Sequence, residues 1–435
     1  MQDRRTASWF MAQETRALLT RLARVKSFAL NETMVPAAAL SPAAQSAIER
    51  FLAVGRRELH QMAGEYRQWL ESGAGSRTPP AELQRRFSIL RLRFNATLAQ
   101  FDTFADVVTQ RSEHETGVWL SGLDVAAADA LALPEYYAAP PVICYLDRGH
   151  GAAIRRARTR MPGGGENPVA IVRVPRERMV GSGIASSLVH EVGHQGAALL
   201  DLIRSIRPIL KGLQQGHARQ QMVWRMWERW ISEILADLWS VAHVGASGTL
   251  GLMGVVSLPR PFVFRVNLDD PHPIPWIRVK LSCAMGNALY PHPQWSRLAA
   301  MWESFYPTRE LDEERQRLIA MLEEGIPSFV TLLANHRPPS LRGRSLSEVM
   351  AKADRQPARL AAMYPAWRAS PARLRDAAPS LAFAVIGQAR ADGLISPEAE
   401  SNTVANLLTH WALRSTLDTS ALCAVPQVRR VARVA

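Results

Sequence analysis

The chain has 435 residues, 47% of them hydrophobic and 21% charged. That is long enough for two or three domains and apolar enough to bury a core, which excludes both a disulfide-stapled miniprotein and a disordered chain. Lys plus Arg total 52 against 39 Asp plus Glu, for a net charge of +13, which permits a nucleic-acid partner without implying one, since no aromatic-basic signature accompanies it.

All the basic residues except Lys26, Lys211, Lys280 and Lys352 are Arg. Cys144, Cys283 and Cys423 are odd in number and form no C-x-x-C pair, which fits buried thiols in a reducing compartment. The opening segment MQDRRTASWFMAQETR carries charges throughout and no continuous apolar run. A secretory signal is therefore not expected, and a cytoplasmic location is. The longest uncharged run, Leu238 to Pro259, holds Trp239, Ser240, His243, Ser247, Thr249 and four glycines, so no membrane span is expected there.

In chain order, apolar positions recur at helical spacing through Ala43–Leu70 and Ala81–Val108, parted by the breakers Ser72–Ser76 and Pro79-Pro80. This predicts a helical N-terminal domain over residues 1–125. From Pro140 the pattern changes to short β-branched runs, Val142–Leu146 and Val169–Val174, which predict strands. The second run reads either as an edge strand able to bind an extended peptide or as an ordinary sheet strand. Between the two lies the basic run Arg155–Arg160, which reads as a solvated helix face or as an anion or nucleic-acid contact, followed by the loop Gly163–Gly165.

The segment Ser186–Gln195 contains H-E-x-x-H within an apolar helix. His190 and His194 lie one turn apart on one face, so both imidazoles can reach a single zinc ion. Glu191 is offset by about 100° around the helix, beside the metal's open position, where it can act as general base toward water. A third protein ligand is required. The metzincin third His is excluded, because the positions where that pattern needs Gly and His hold Ala197 and Leu200. Residues 213 and 214, midway between His194 and Glu233, fall in the turn-like Gly212–Gly216. Helical arms of roughly equal length, about 25 Å each at 1.5 Å per residue, then return Glu233 to His194. Asp237, one turn on, is placed to accept the other ring N–H of a ligand His. His217, His243 and Asp201 are rival ligands without this registration. Gly245, Gly248, Gly251 and Gly254 recur every three residues, as in a close backbone approach or a mobile loop.

Farther on, Pro271-His272-Pro273-Ile274-Pro275 holds a stiff extended segment, and Arg278 opens the next predicted helix. The series H-E-x-x-H, E-x-x-A-D and H-P-x-P-x-x-R, in that order, resembles the gluzincin metallopeptidases and, distantly, the M48 family of CaaX prenyl endopeptidases and HtpX-type proteases. The resemblance covers about residues 165 to 285. It implies a zinc endopeptidase acting on a polypeptide substrate, with His190, His194 and Glu233 as ligands, Glu191 as base, and His272 or Arg278 at the substrate or the oxyanion. The predicted fold class is α+β, predominantly helical. A zincin-like core with a small sheet and the H-E-x-x-H helix occupies residues 126–300, and a helical C-terminal region occupies 301–435, with helical pattern at Glu310–Glu324, Leu346–Met363 and Leu381–Leu413. The rival readings are a non-catalytic scaffold that retains zinc for stability and a basic, nucleic-acid-associated protease.

Overall fold

In a computed structural model, the structure describes residues 2–25, 34–148, 151–162, 164–175, 182–215, 218–267 and 269–424. Lys26, Gly163, Gly216 and His217, and the side chain of Cys423, lie outside the described set. The protein is predominantly helical with one small mixed sheet, and it divides into two compact units.

One unit comprises residues 1–118, 156–170 and 415–435. Its helices α1 (Gln2–Arg24), α2 (Pro42–Glu71) and α3 (Pro80–Thr109) bury one face each around Leu18, Leu22, Leu59, Tyr66, Phe87 and Phe94. Pro42 and Pro80 stand in the first turn of their helices, where a missing N–H costs nothing, and the Ser41 hydroxyl caps α2 by accepting from Ala44 N. The breaker at Ser72 still forms a single turn, Gly73–Arg77, because Ser72 accepts from Gly75 N. The basic run is not helical. Arg158 takes φ +61°, and Arg158 N and Asn167 N donate to Asn167 O and Thr159 O, making a hairpin-like loop. Gln100 Nε2 ties its tip by donating to Gly164 O at 2.9 Å.

The other unit comprises residues 119–155 and 171–414. Strands β1 (Val142–Asp147), β2 (Ala153–Arg155) and β3 (Ala170–Pro175) lie in the order β1-β3-β2. β2 and β3 are antiparallel, with Ile154 opposite Val172. The run at Val169–Val174 is thus the central strand, both of its edges paired, and not the edge that β-augmentation requires. The edge strands are β1 and β2, and β2 is too short and too mixed in burial to announce itself in the sequence.

Ahead of the sheet runs α4 (His114–Leu131). After it, helix α5 (Ser182–Leu199) carries H-E-x-x-H and packs along α7 (Ala218–Val244). Between them the chain breaks at Asp201, which takes a left-handed φ of +53°, and resumes as α6 (Leu202–Leu213) with Pro208 inside it. The first arm of the predicted hairpin is therefore two helices. α8 (Ala246–Val256) continues from a positive-φ Gly245, so the glycine series is helical, and Gly248 packs tightly on Ser240. α9 (Pro275–Leu289) crosses α7 and packs on α10 (Gln294–Phe305) and α11 (Glu313–Asn335). Among the described residues α11 alone is long and apolar enough to cross a membrane, by length and composition. It buries Ile319, Leu322, Ile326, Phe329 and Leu333 on one face. Two predicted C-terminal helices divide. Pro357 starts α12 (Pro357–Ala369) apart from the turn Leu346–Met350, and positive-φ Gly393 lies between α13 (Pro379–Ala391) and α14 (Pro397–Ala424). α13 packs against α5, α7 and α8.

Candidate metal centre

The close pairing of α5 and α7 follows from glycine at two positions. A Cβ on Gly193 would lie 2.8 Å from Trp239 Cβ and 3.0 Å from Ala236 Cα, and one on Gly196 would lie 2.4 Å from the Trp239 ring. Without them the two backbones could not approach so closely. Trp239 itself is fixed by its indole N–H, which donates to Ala130 O.

That approach brings His190, His194 and Glu233 together, with one donor atom from each inside a span of 4.8 Å. His190 Nε2 is 3.3 Å from Glu233 Oε2, and His194 Nε2 is 3.5 Å from Glu233 Oε1. Bonds of about 2.0–2.2 Å in a tetrahedral zinc site put neighbouring ligand atoms roughly 3.3–3.5 Å apart. Glu233 Oε2 is buried and accepts no hydrogen bond among the described residues. A buried carboxylate oxygen left in that state is costly. A cation between the two imidazoles and this oxygen removes the cost, so the donor set fits a metal ion.

The surrounding residues orient the donors. His190 Nδ1 lies 2.8 Å from Asp237 Oδ1, a short contact whose alignment is poor for a hydrogen bond. Ser232 Oγ is 3.3 Å from His194 Nδ1. Arg278, in the first turn of α9, spends its fork on Asp237, with Nε donating at 2.7 Å and Nη2 at 2.9 Å, and Nη2 also stands 3.6 Å from Glu233 Oε2. Burial opposes a charge on His190, but Asp237 outweighs it and raises the imidazole to about 9. Burial, joined by the charge on His190, pushes His194 down to about 4. Burial also works against the charge on Glu233, yet His190, His194 and Arg278 pull its carboxyl down to about 2. Asp237 is held well below the usual carboxylate range by Arg278 and His190, against its burial.

Glu191 is buried and lines the same cleft, and among the described residues no hydrogen bond ties it to the donors. Burial raises its carboxyl above the ordinary range. His272 is half exposed, with Nε2 3.4 Å from Glu233 Oε2 and Nδ1 2.7 Å from Asp270 Oδ1. Asp270 also accepts from His272 N and from Arg265, so it fixes which ring nitrogen faces the cleft. The spacing of His272 gave no hint of Asp270. A side chain accepting from a residue two positions on is a local turn, and the only available signal was Asp269-Asp270 ahead of Pro271. Ser232, beside Glu233 in sequence, was equally silent.

No family model, curated protein or solved structure matches this chain. The assignment of chemistry therefore rests on the cleft itself. The seven predicted site residues come together where the middle of α5 faces α7 and the start of α9. His243, by contrast, is buried two turns past Asp237, stacked on Trp239, and Asp201 pairs with Arg204. A larger groove of about 640 Å³ lies at the start of α6 and the end of α11, where Ser205 Oγ is 2.8 Å from His336 Nε2. Ser205 donates its hydroxyl proton to Leu202 O, and among the described residues no carboxylate pairs with that imidazole. It has the dyad without the partners that would activate it.

Proposed function

We propose that the protein is a zinc-dependent peptidase. The observation that supports this best is the convergence of His190, His194 and Glu233 with a buried, non-ligating Glu191 at a cleft. A zinc ion held by those three residues supplies Lewis acidity that polarises a carbonyl and acidifies water. The ligand set of two His and one Glu, leaving a position open, is that of catalytic rather than structural zinc.

Glu191 takes the proton from the attacking water and passes it to the leaving amine. Its burial, which raises the carboxyl, moves it toward the range in which a base can also return the proton. His272, held by Asp270 with its Nε2 toward Glu233 and half its side chain in solvent, is the candidate to meet a developing oxyanion, and it can donate there only as the imidazolium, in which both ring nitrogens carry a proton. Arg278 is instead a positioning residue, since its contacts are with Asp237, Glu233 and His190. Gly151 and Ala152 line the cleft just ahead of β2, whose unpaired edge suits an extended polypeptide.

The test is hydrolysis of an unfolded protein substrate. Activity removed by a chelator, restored by zinc and lost in Glu191→Gln supports the reading. A chelator-insensitive activity, or full activity in Glu191→Gln, contradicts it, and a protein that binds zinc stably without hydrolysis favours the scaffold.

A further inference from the structure

The cavity that opens beside Glu191 and His190 has a volume of about 130 Å³. Its walls away from the metal donors are Ser187, Ser240, Gly248, Leu252, Val255 and Ser282. The floor is small and locked. A Cβ on Gly248 would come within 2.9 Å of Ser240 Oγ, Ser186 Oγ donates to Gly248 O at 3.0 Å, and Thr249 Oγ1 bonds Ser282 Oγ at 2.8 Å. Ser187 stands one turn before Glu191 on the same helix face, and Leu252, on α8, also lines the cavity and is itself buried.

Size decides what such a cavity admits. An enclosed cavity of roughly 150 Å³ holds about one benzene. This one is smaller, and it must also receive the peptide group presented to His190 and Glu191. What remains is room for a side chain of a few heavy atoms. The tight floor cannot recede, because interiors packed to this density relax little.

We propose that this pocket selects the residue flanking the scissile bond and restricts it to small side chains, of the order of Ala or Ser, with Leu252 and Ser187 setting the limit. The proposal rests on the peptidase reading and names its substrate class. One extra or missing methylene in a hydrophobic pocket changes recognition by about 10–200-fold, so a ring that cannot seat against Leu252 and Ser187 is bound less tightly.

The experiment is equilibrium binding of three probes to the full-length, zinc-loaded protein: acetohydroxamate, and peptidyl hydroxamates bearing Ala or Phe next to the chelating group. The Ala probe is expected to bind at least about tenfold more tightly than the Phe probe. Leu252→Ala should erase or invert that order, and Ser187→Leu should weaken even the Ala probe. Val255→Ala, at a half-buried position, provides a second enlargement if Leu252→Ala fails to fold. Phe bound as tightly as Ala by the unaltered protein overturns the pocket's role while leaving the metal centre standing. Failure of acetohydroxamate itself to bind removes the metal-centre reading and the proposal with it.

Discussion

His190 and His194 have the same side chain one helical turn apart, and their surroundings drive them in opposite directions. Asp237 raises His190 to about 9, whereas burial and the neighbouring charge depress His194 to about 4. At pH 7 the metal-free pair therefore carries one positive charge, a single proton beyond the two neutral imidazoles, and a metal must displace it. Zinc uptake should release one proton, with affinity rising about tenfold per pH unit from pH 7 until it levels near 9. Titration in weak buffer with a pH indicator checks this, and release of two protons or none would show that the imidazoles are not partitioned this way. Asp237→Asn keeps an acceptor but loses the charge, so zinc affinity should fall roughly 10–100-fold. Arg278, whose guanidinium bonds Asp237, is proposed here to position the donors rather than to meet the oxyanion. Its removal leaves Asp237 as an uncompensated buried carboxylate, so Arg278→Ala should lower stability by about 3–5 kcal/mol and zinc affinity together. A variant stable and zinc-replete but slow in turnover would return Arg278 to the oxyanion.

At the scale of elements, the α5–α7 pair is the device that builds the site. Gly193 faces backbone atoms of Ala236, and a backbone yields less readily than the end of a side chain. Gly193→Ala should thus force the helices apart, carrying Glu233 away from His194, and the protein should lose zinc with every ligand still present. Metal analysis and thermal melting of that variant check it, and unchanged zinc content would mean that the pairing tolerates a wider spacing. Most of this pair was legible in sequence, because two helical periods and a central turn suffice to bring residue 233 back to residue 194. What was not legible follows from interactions with no periodic trace. The αL break at Asp201 lacks the usual Gly, the three-residue β2 exists only through its pairing with β3, and the Asp270 contact is set by a turn. The division of Leu381–Leu413 into two helices, by contrast, had a local signal in Asp392-Gly393 and Ser396-Pro397, which the helical reading of the whole stretch passed over.

Across the unit that carries the site, the C-terminal helices are part of the support. Arg355 donates to His243 O at 2.7 Å and to Ser380 Oγ at 3.0 Å, and Ser380 N donates to Asp129 Oδ2, so residues from 129 to 380 share one buried polar network behind α7. His243, fully buried at its centre, donates from Nδ1 to Trp239 O and is depressed by burial, and secondarily by Lys352, to about 3. The unfolded chain binds a proton at this residue below about pH 6.5 while the folded protein does not, so stability rises with pH across that window. It is fully present above 6.5 and declines as pH falls toward 3. Replacing His243 by Phe, which keeps a ring on Trp239, should remove this component. Urea unfolding of both proteins at pH 7 and pH 5 checks it. The loss between the two pH values should be smaller in His243→Phe by about 2 kcal/mol at most, and equal losses would show that His243 does not control acid stability.

The central claim is that three side chains hold one metal ion and that Glu191 stands beside it without binding. Zinc content per chain, measured on the purified protein and on Glu191→Gln and Glu233→Ala after equal exposure to zinc and removal of excess, tests this most directly. One zinc per chain in the unaltered protein and in Glu191→Gln, with a large loss in Glu233→Ala, is the predicted result. Undiminished zinc in Glu233→Ala, or none in the unaltered protein, would contradict it.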